Sequence, residues 1–288
     1  MRRRDGVEIG ALIVLLAGIV LALLHWESVQ RMIGYVLHDQ PPAASAPTPA
    51  PVTLAPHVSA PIASAPASQP VAQQLQLPAA SQPLPALRDS DREFGQAMQG
   101  LVGRKAFAQW WVPDRLILHI VSTIDNLPRA QAPVRAWPVR PAPGRLQVST
   151  HAGALVLDPS NAQRYAPYMV LVRMVDPARA VAVYLRFYPL FQQAWRDLGY
   201  PKGQFNDRLV QVIDNLLQAP EPSGPLRLVQ PHVLYKYADP GLESASAGQK
   251  ILMRIGLANE REVKAKLRAL RAQLLLHMHP AASAPATH

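Results

Sequence analysis

The sequence predicts a mainly helical, α+β domain with one or two short β-hairpins, preceded by a single transmembrane helix and a disordered Pro/Ala-rich stalk. Three observations carry this reading. A cluster of arginines is followed at once by an unbroken apolar run. A long tract of Pro, Ala, Ser and Gln with almost no charge comes next. From residue 88 onward, apolar side chains recur at steps of three and four between helix-starting residues, and alternate as in strands at only two places.

Residues 1–6 form a basic N-terminus with Arg2, Arg3 and Arg4, and Val7 to Trp26 is a stretch of 20 residues with Glu8 and His25 at its two ends. At roughly 1.5 Å per residue such a helix crosses a hydrocarbon core of roughly 30 Å. A secretory signal would close on small residues at a cleavage site, whereas "LLHWESVQ" offers none. The span is therefore read as an uncleaved anchor. Its arginines place the N-terminus in the cytoplasm and the remainder of the chain on the far side. In residues 27–40, Val29, Met32, Ile33, Val36 and Leu37 make an apolar stripe suited to the membrane surface. Residues 41–87 form the stalk, whose prolines favour an extended chain of about 3.1 Å per residue and a reach of up to roughly 140 Å.

The globular domain is assigned to residues 88–279, with 280–288 as a disordered tail. Helical patterns cover 91–110, 114–126, 159–175, 177–198, 206–218, 240–256 and 259–278. Ser90 with Glu93, and Asn259 with Glu262, have capping-box spacing. Asp158, Asp176 and Asp239 each precede a proline, as an N-cap acid precedes the proline of a first helical turn. Pro189 falls inside the fourth pattern and is expected to kink it. "RLQVS" and "ALVLD" read as a hairpin around Gly153, and "LRLV" with "VLYKY" as a second pair.

Of 29 basic and 19 acidic side chains, four of each lie in residues 1–40 and cancel, so the net charge of +10 belongs to the globular part. Such an excess favours anionic partners. The expected partners are the inner membrane itself and an envelope protein or anionic cell-wall polymer, not nucleic acid. With no cysteine, disulfides and thiolate metal sites are excluded. "HMHP" sets His277 and His279 two residues apart, which does not stack two ligands on a helix, so no metal and no cofactor is expected.

The chain contains no G-x-S-x-G elbow, H-E-x-x-H helix or phosphate-binding glycine loop. "SASAGQK" lacks the S-x-x-K spacing of a serine–lysine pair. "IDNL" occurs twice, with Asp125 and Asp214. Either these acids form a carboxylate pair for hydrolysis of wall glycan or peptide, or they meet arginine and backbone where each helix ends. The second reading is favoured, with Arg129 and Arg208 as partners.

Binding candidates fall in three groups. Arg129, Arg135, Trp137 and Arg140 lie along a proline-rich strap between Pro128 and Gly144. Arg164, Tyr165, Tyr188, Tyr200 and Arg208 lie in the part of the chain that holds seven of the eight tyrosines. Arg261, Lys264, Arg268 and Arg271 run beside a seam of Val263, Leu267, Leu270 and Leu274 on the last helix, which either docks on the domain or joins copies into a scaffold.

"STIDNLPR", "NAQRYAPY", "YPLFQQAWRDLGYP", "FNDRLVQVIDNLL", "YKYADPGLESASAGQKILMRIG" and "VKAKLRALRAQL" together resemble the bacterial domain-of-unknown-function 3014 family over residues 88 to about 275. The resemblance implies a membrane span and a variable stalk ahead of the shared domain, and it supplies no activity or catalytic residue. The expectation is a single-pass protein of the bacterial inner membrane, with its C-terminal domain in the periplasm binding another envelope component.

Overall fold

The computed structural model describes residues 73–75, 77, 83–133, 137–142, 144–232 and 234–280. The candidate span at 7–26, the extension at 27–40, most of the stalk and residues 281–288 lie outside them. Among the described residues no helix is long and apolar enough to cross a membrane.

Helices dominate. After a 3-10 turn at Leu87–Asp89 come α1 (Asp91–Val102), α2 (Arg104–Trp110) and α3 (Leu116–Asn126). The pattern read as one helix over 91–110 is two, because Gly103 takes φ 83 between them, a backbone conformation in which a Cβ is strained. The N-terminus of α3 is tied to α1: the Asp91 carboxylate accepts from the N–H groups of Arg115 at 2.6 Å and Leu116 at 2.8 Å. Asp114 pairs with Arg115 at the surface.

The hairpin of β2 (Val148–His151) and β3 (Ala154–Leu157) follows, turning at Ala152 and Gly153. Then come α4 (Asn161–Arg164), α5 (Ala166–Met174), α6 (Pro177–Asp197) and α7 (Phe205–Leu217). The second predicted strand pair is β4 (Leu228–Val229) with β5 (Lys236–Tyr237). The chain closes with α8 (Pro240–Glu243), α9 (Ala247–Arg254) and α10 (Leu257–Leu276). A pairing that the sequence does not announce joins β1 (Gln73–Leu75) to β6 (Met278–Pro280), antiparallel. Ordered structure thus reaches back into the segment read as stalk, and Leu75, Leu84 and Leu87 pack on the core.

Helix α6 is the spine of the core, packed between α3 and α10, with α7 beside them. Its buried face carries Tyr184, Phe187, Phe191 and Trp195, and Phe94 of α1 meets Phe187 and Phe191 edge-on at 5.1 and 5.6 Å. The exposed Pro189 is carried within α6, which runs on to Asp197. The α10 seam of Val263, Leu267, Leu270 and Leu274 is buried in this same core, so those residues dock on their own domain and are not free to join copies. A second, smaller apolar cluster of Leu146, Leu228, Tyr237 and Met253 lies under the β strands.

Three capping expectations are corrected. Ser90 has helical dihedrals and its hydroxyl donates to the Leu87 carbonyl at 2.7 Å, while Glu93 pairs with Arg186. Asn259 lies inside α10, whose N-cap is Gly256, and Glu262 grips Arg173 at 2.7 Å. The complete capping box is Ser246 with Gln249, at the start of α9. Asp176 and Asp239 do cap their helices, whereas Asp158 does not: α4 begins only at Asn161, with Ser160 as its N-cap, and the Asp158 carboxylate instead accepts from the Ser160 N–H at 2.8 Å.

Candidate functional site

The two IDNL segments are brought to one junction by the turn that opens α9. The N–H groups of Ala247 and Gly248 donate to the carbonyls of Arg129 (2.7 Å) and Leu127 (2.9 Å), after the first segment. The Ser246 hydroxyl and the Gln249 side-chain amide donate to Asn215 Oδ1 and its carbonyl, both at 2.8 Å, in the second. "SASAGQK" therefore clamps the ends of α3 and α7 together.

Asp125 and Asp214 do not share a hydrogen bond. Asp125 is 4 % exposed. It accepts from Arg129, from Tyr200 Oη at 2.9 Å and from Arg208 Nε at 3.0 Å, and Arg208 also reaches its carbonyl oxygen at 2.8 Å. Asp214, with its side chain 41 % exposed, is held by Arg271 at 2.6 and 3.2 Å. Each carboxylate opposes the dipole at a helix C-terminus, and each has the arginine that offsets it.

Beside Asp125 lies an open groove of about 720 Å³. The loop between α6 and α7, "GYPKGQ", forms its rim. Gly199 and Gly203 take positive φ there, and Gln192 holds the loop by donating to the Gly203 carbonyl at 3.0 Å and accepting from the Phe205 N–H at 2.8 Å. The rim sets the Tyr200 ring flat on Trp195, centroids 3.9 Å apart and planes 8° apart. Tyr200 in turn accepts from Arg129 at 2.9 Å, so aromatic stack, guanidinium and carboxylate are one rigid unit. Trp195 Nε1, buried at the groove wall, makes no hydrogen bond among the described residues. Lys202, Gln204, Asp207 and Gln211 also line the groove. Burial holds the Asp207 carboxyl above the usual range. Tyr188, pushed up to about 12 chiefly by burial, backs the rim through Gln204 at 2.9 Å.

The other sequence candidates do not join this site. Arg135 lies outside the described residues. Tyr165, at the start of α5, and Trp137, on the strap, are core side chains, 3 % and 5 % exposed, so the strap packs across its own domain. Arg140 pins it there, donating to the carbonyls of Ala108 and Gln109 at 2.9 and 2.7 Å. Arg164 donates to the Gly144 carbonyl at 2.9 Å and lies 5.6 Å from the centre of the Tyr165 ring. On α10, Lys264 is only 2 % exposed and donates to the Ala219 carbonyl and Glu221 at 2.6 and 2.8 Å. Arg261 also meets Glu221, and Arg271 meets Asp214. Of that basic row Arg268 alone is exposed with no acid within ion-pairing distance among the described residues. Trp195, which the sequence sets among the dense aromatics suited to a sugar or peptide groove, does line it, whereas sequence reasoning missed Lys202, Gln204 and Asp207 as groove residues, although "AWRDLGYPKGQFND" places all four within thirteen positions.

Among the described residues no three His, Cys, Asp or Glu side chains are grouped to hold a metal ion. What the fold and groove define is a helical domain in which carboxylates are neutralised by arginine beside an aromatic, polar-lined surface. The chain belongs to the family described as protein of unknown function (DUF3014), whose model matches residues 116–271, from the start of α3 into α10. No curated protein and no solved structure matches it.

Proposed function

We propose that the groove beside Tyr200 is a binding site for an anionic cell-wall polymer, presented in the periplasm by a single-pass protein of the bacterial inner membrane. One observation carries the reading. Three separated segments, "STIDNLPR", "AWRDLGYP" and "FNDR", converge on one groove and supply Asp125, Trp195, Tyr200, Asp207 and Arg208, with Arg129 hydrogen-bonded to Asp125 and Tyr200.

Anchoring rests on the apolar run from Val7 to Trp26 behind three arginines. Attraction to an anion rests on the basic excess of the domain and on Lys202 at the groove rim, exposed and without an acid in ion-pairing distance among the described residues. An aromatic face with convergent amide and charged groups suits a polar chain. Binding is preferred to hydrolysis because Asp125 and Asp214 each engage their own guanidinium, and a carboxylate so held is poorly placed to exchange protons with a substrate.

Co-sedimentation of the detergent-solubilised full chain with isolated cell-wall sacculi tests this. Lys202→Glu is expected to lower the bound fraction about tenfold at low salt with Tm unchanged, since it reverses one unpaired charge at the rim. Undiminished binding by that variant contradicts the assignment of the groove.

A further inference from the structure

A second open groove, of about 910 Å³, is lined by α1, the start of α2 and Pro113. It shares no lining residue with the groove at Tyr200. Arg92, Gln96 and Gln99 follow one another along α1 at steps of four and three, so they share one face over about 10 Å. Arg104, in the first turn of α2, lines the same groove. Its floor is apolar. Gly95 has no side chain, and a Cβ there would lie 3.4 Å from Phe107 Cζ, so the Phe107 ring closes directly against the α1 backbone.

The two arginines are not neutralised within the domain. Both are exposed, and neither has a hydrogen bond or an acid in ion-pairing distance among the described residues; the side-chain amides of Gln96 and Gln99 are equally unengaged. The acids nearby are committed elsewhere. Asp91, which also lines the groove, gives both carboxylate oxygens to the backbone N–H groups of Arg115 and Leu116. Glu93 turns to Arg186, and "RKAFAQW" of α2 contains no acid. At the Tyr200 groove, by contrast, Arg129 and Arg208 are both spent on Asp125.

Guanidinium forks select carboxylate or phosphate. Here they come from two helices, with two amides beside them, and donors from several directions suit the three free oxygens of a tetrahedral phosphate better than the plane of a carboxylate. The groove is also far larger than a phosphate, and its floor offers an apolar surface to whatever the phosphate is joined to. We propose that this groove binds a phosphate ester, with the phosphate held by Arg92, Arg104 and the Gln96 and Gln99 amides and the organic group against Phe107 and Pro113. A soluble ester and a phospholipid headgroup present the same chemistry, and the test separates them.

The test is calorimetric titration of the detergent-solubilised full chain at low salt with phenyl phosphate, inorganic phosphate, benzoate and dihexanoyl phosphatidylglycerol. The expected result is saturable binding of an ester about tenfold tighter than that of benzoate or inorganic phosphate. Arg92→Ala and Arg104→Ala should each weaken it about tenfold with Tm unchanged. Lys202→Ala and Arg268→Ala remove the same charge elsewhere and should leave it within about twofold. Tighter binding of the lipid than of phenyl phosphate assigns the site to a headgroup and the reverse order to a soluble ester; both uphold the proposal. No saturable binding of either ester, benzoate bound as tightly, or equal weakening by the two control substitutions overturns it. Because esters and benzoate are compared on unaltered protein, the test stands even if an arginine variant does not fold.

Discussion

The N–H of Gly248 donates to the carbonyl of Leu127 at 2.9 Å, and this contact fastens the end of α3 to the start of α9. It is possible only because residue 248 has no side chain. A Cβ there would collide with Leu216 Cδ2 and lie 3.3 Å from the Leu127 oxygen. Gly248→Ala is therefore expected to cost about 1–3 kcal/mol through overpacking. Gly224→Ala, where a Cβ meets nothing within 4 Å, should change stability by less than about 0.5 kcal/mol. Urea unfolding of the two variants checks the contrast, and equal effects would refute the close-packed junction.

The same tetrapeptide carries two acids of unequal weight. Asp125→Asn removes a buried charge that two arginines and Tyr200 address, and is expected to cost about 1–3 kcal/mol. Asp214→Asn breaks a half-exposed pair with Arg271, which is worth about 0–1 kcal/mol. Denaturant midpoints order the two variants directly. A larger loss at position 214 would contradict this assignment.

Burial, the largest cause, raises the Glu260 carboxyl from its usual value near 4.5 to about 7, against the opposing pull of Lys264. Since the folded pKa lies above the unfolded one, the group's contribution is fully present below about pH 4.5 and is lost as pH rises through about 7, by up to about 3 kcal/mol. His119, lowered mainly by burial, works in the other direction, because the unfolded chain takes up its proton first as pH falls. The clean readout is the stability of wild type relative to Glu260→Gln, in which His119 is unchanged. That difference should shift against the wild type between about pH 5 and pH 8. A pH-independent difference would mean that Glu260 is ionised throughout.

Much of the helical framework was legible because periodicity and caps report local geometry. The patterns at 114–126 and 206–218 are helices with buried stripes of Leu116, Ile120, Ile124 and of Leu209, Val212, Ile213, and the Asp176 and Asp239 caps and both hairpins stand where the sequence placed them. The failures share a physical cause: they were decided by contacts distant in sequence. Ser90 and Asn259 have capping spacing, but Arg186 and Arg173 draw away the glutamates that would complete each box. Nothing local in "QQL" signals a strand, because its partner lies some two hundred positions later. Lys264 reads as one of a basic row, yet burial against the loop after α7 gives it a role unlike that of Arg268. At the site, Asp125, Arg129, Tyr200 and Arg208 were each named in advance. That they form one unit followed only from the packing of α3, α6 and α7.

The most direct measurement is photo-crosslinking in living cells from a benzophenone side chain at Gln211, which is exposed and lines the groove, compared with one at Lys236, exposed on the β strands. If the groove binds an envelope polymer, position 211 yields a cell-wall adduct that is lost with Lys202→Glu, and position 236 yields none. Equal adducts at both positions, or none at 211 in a chain that is exported and folded, would contradict the account.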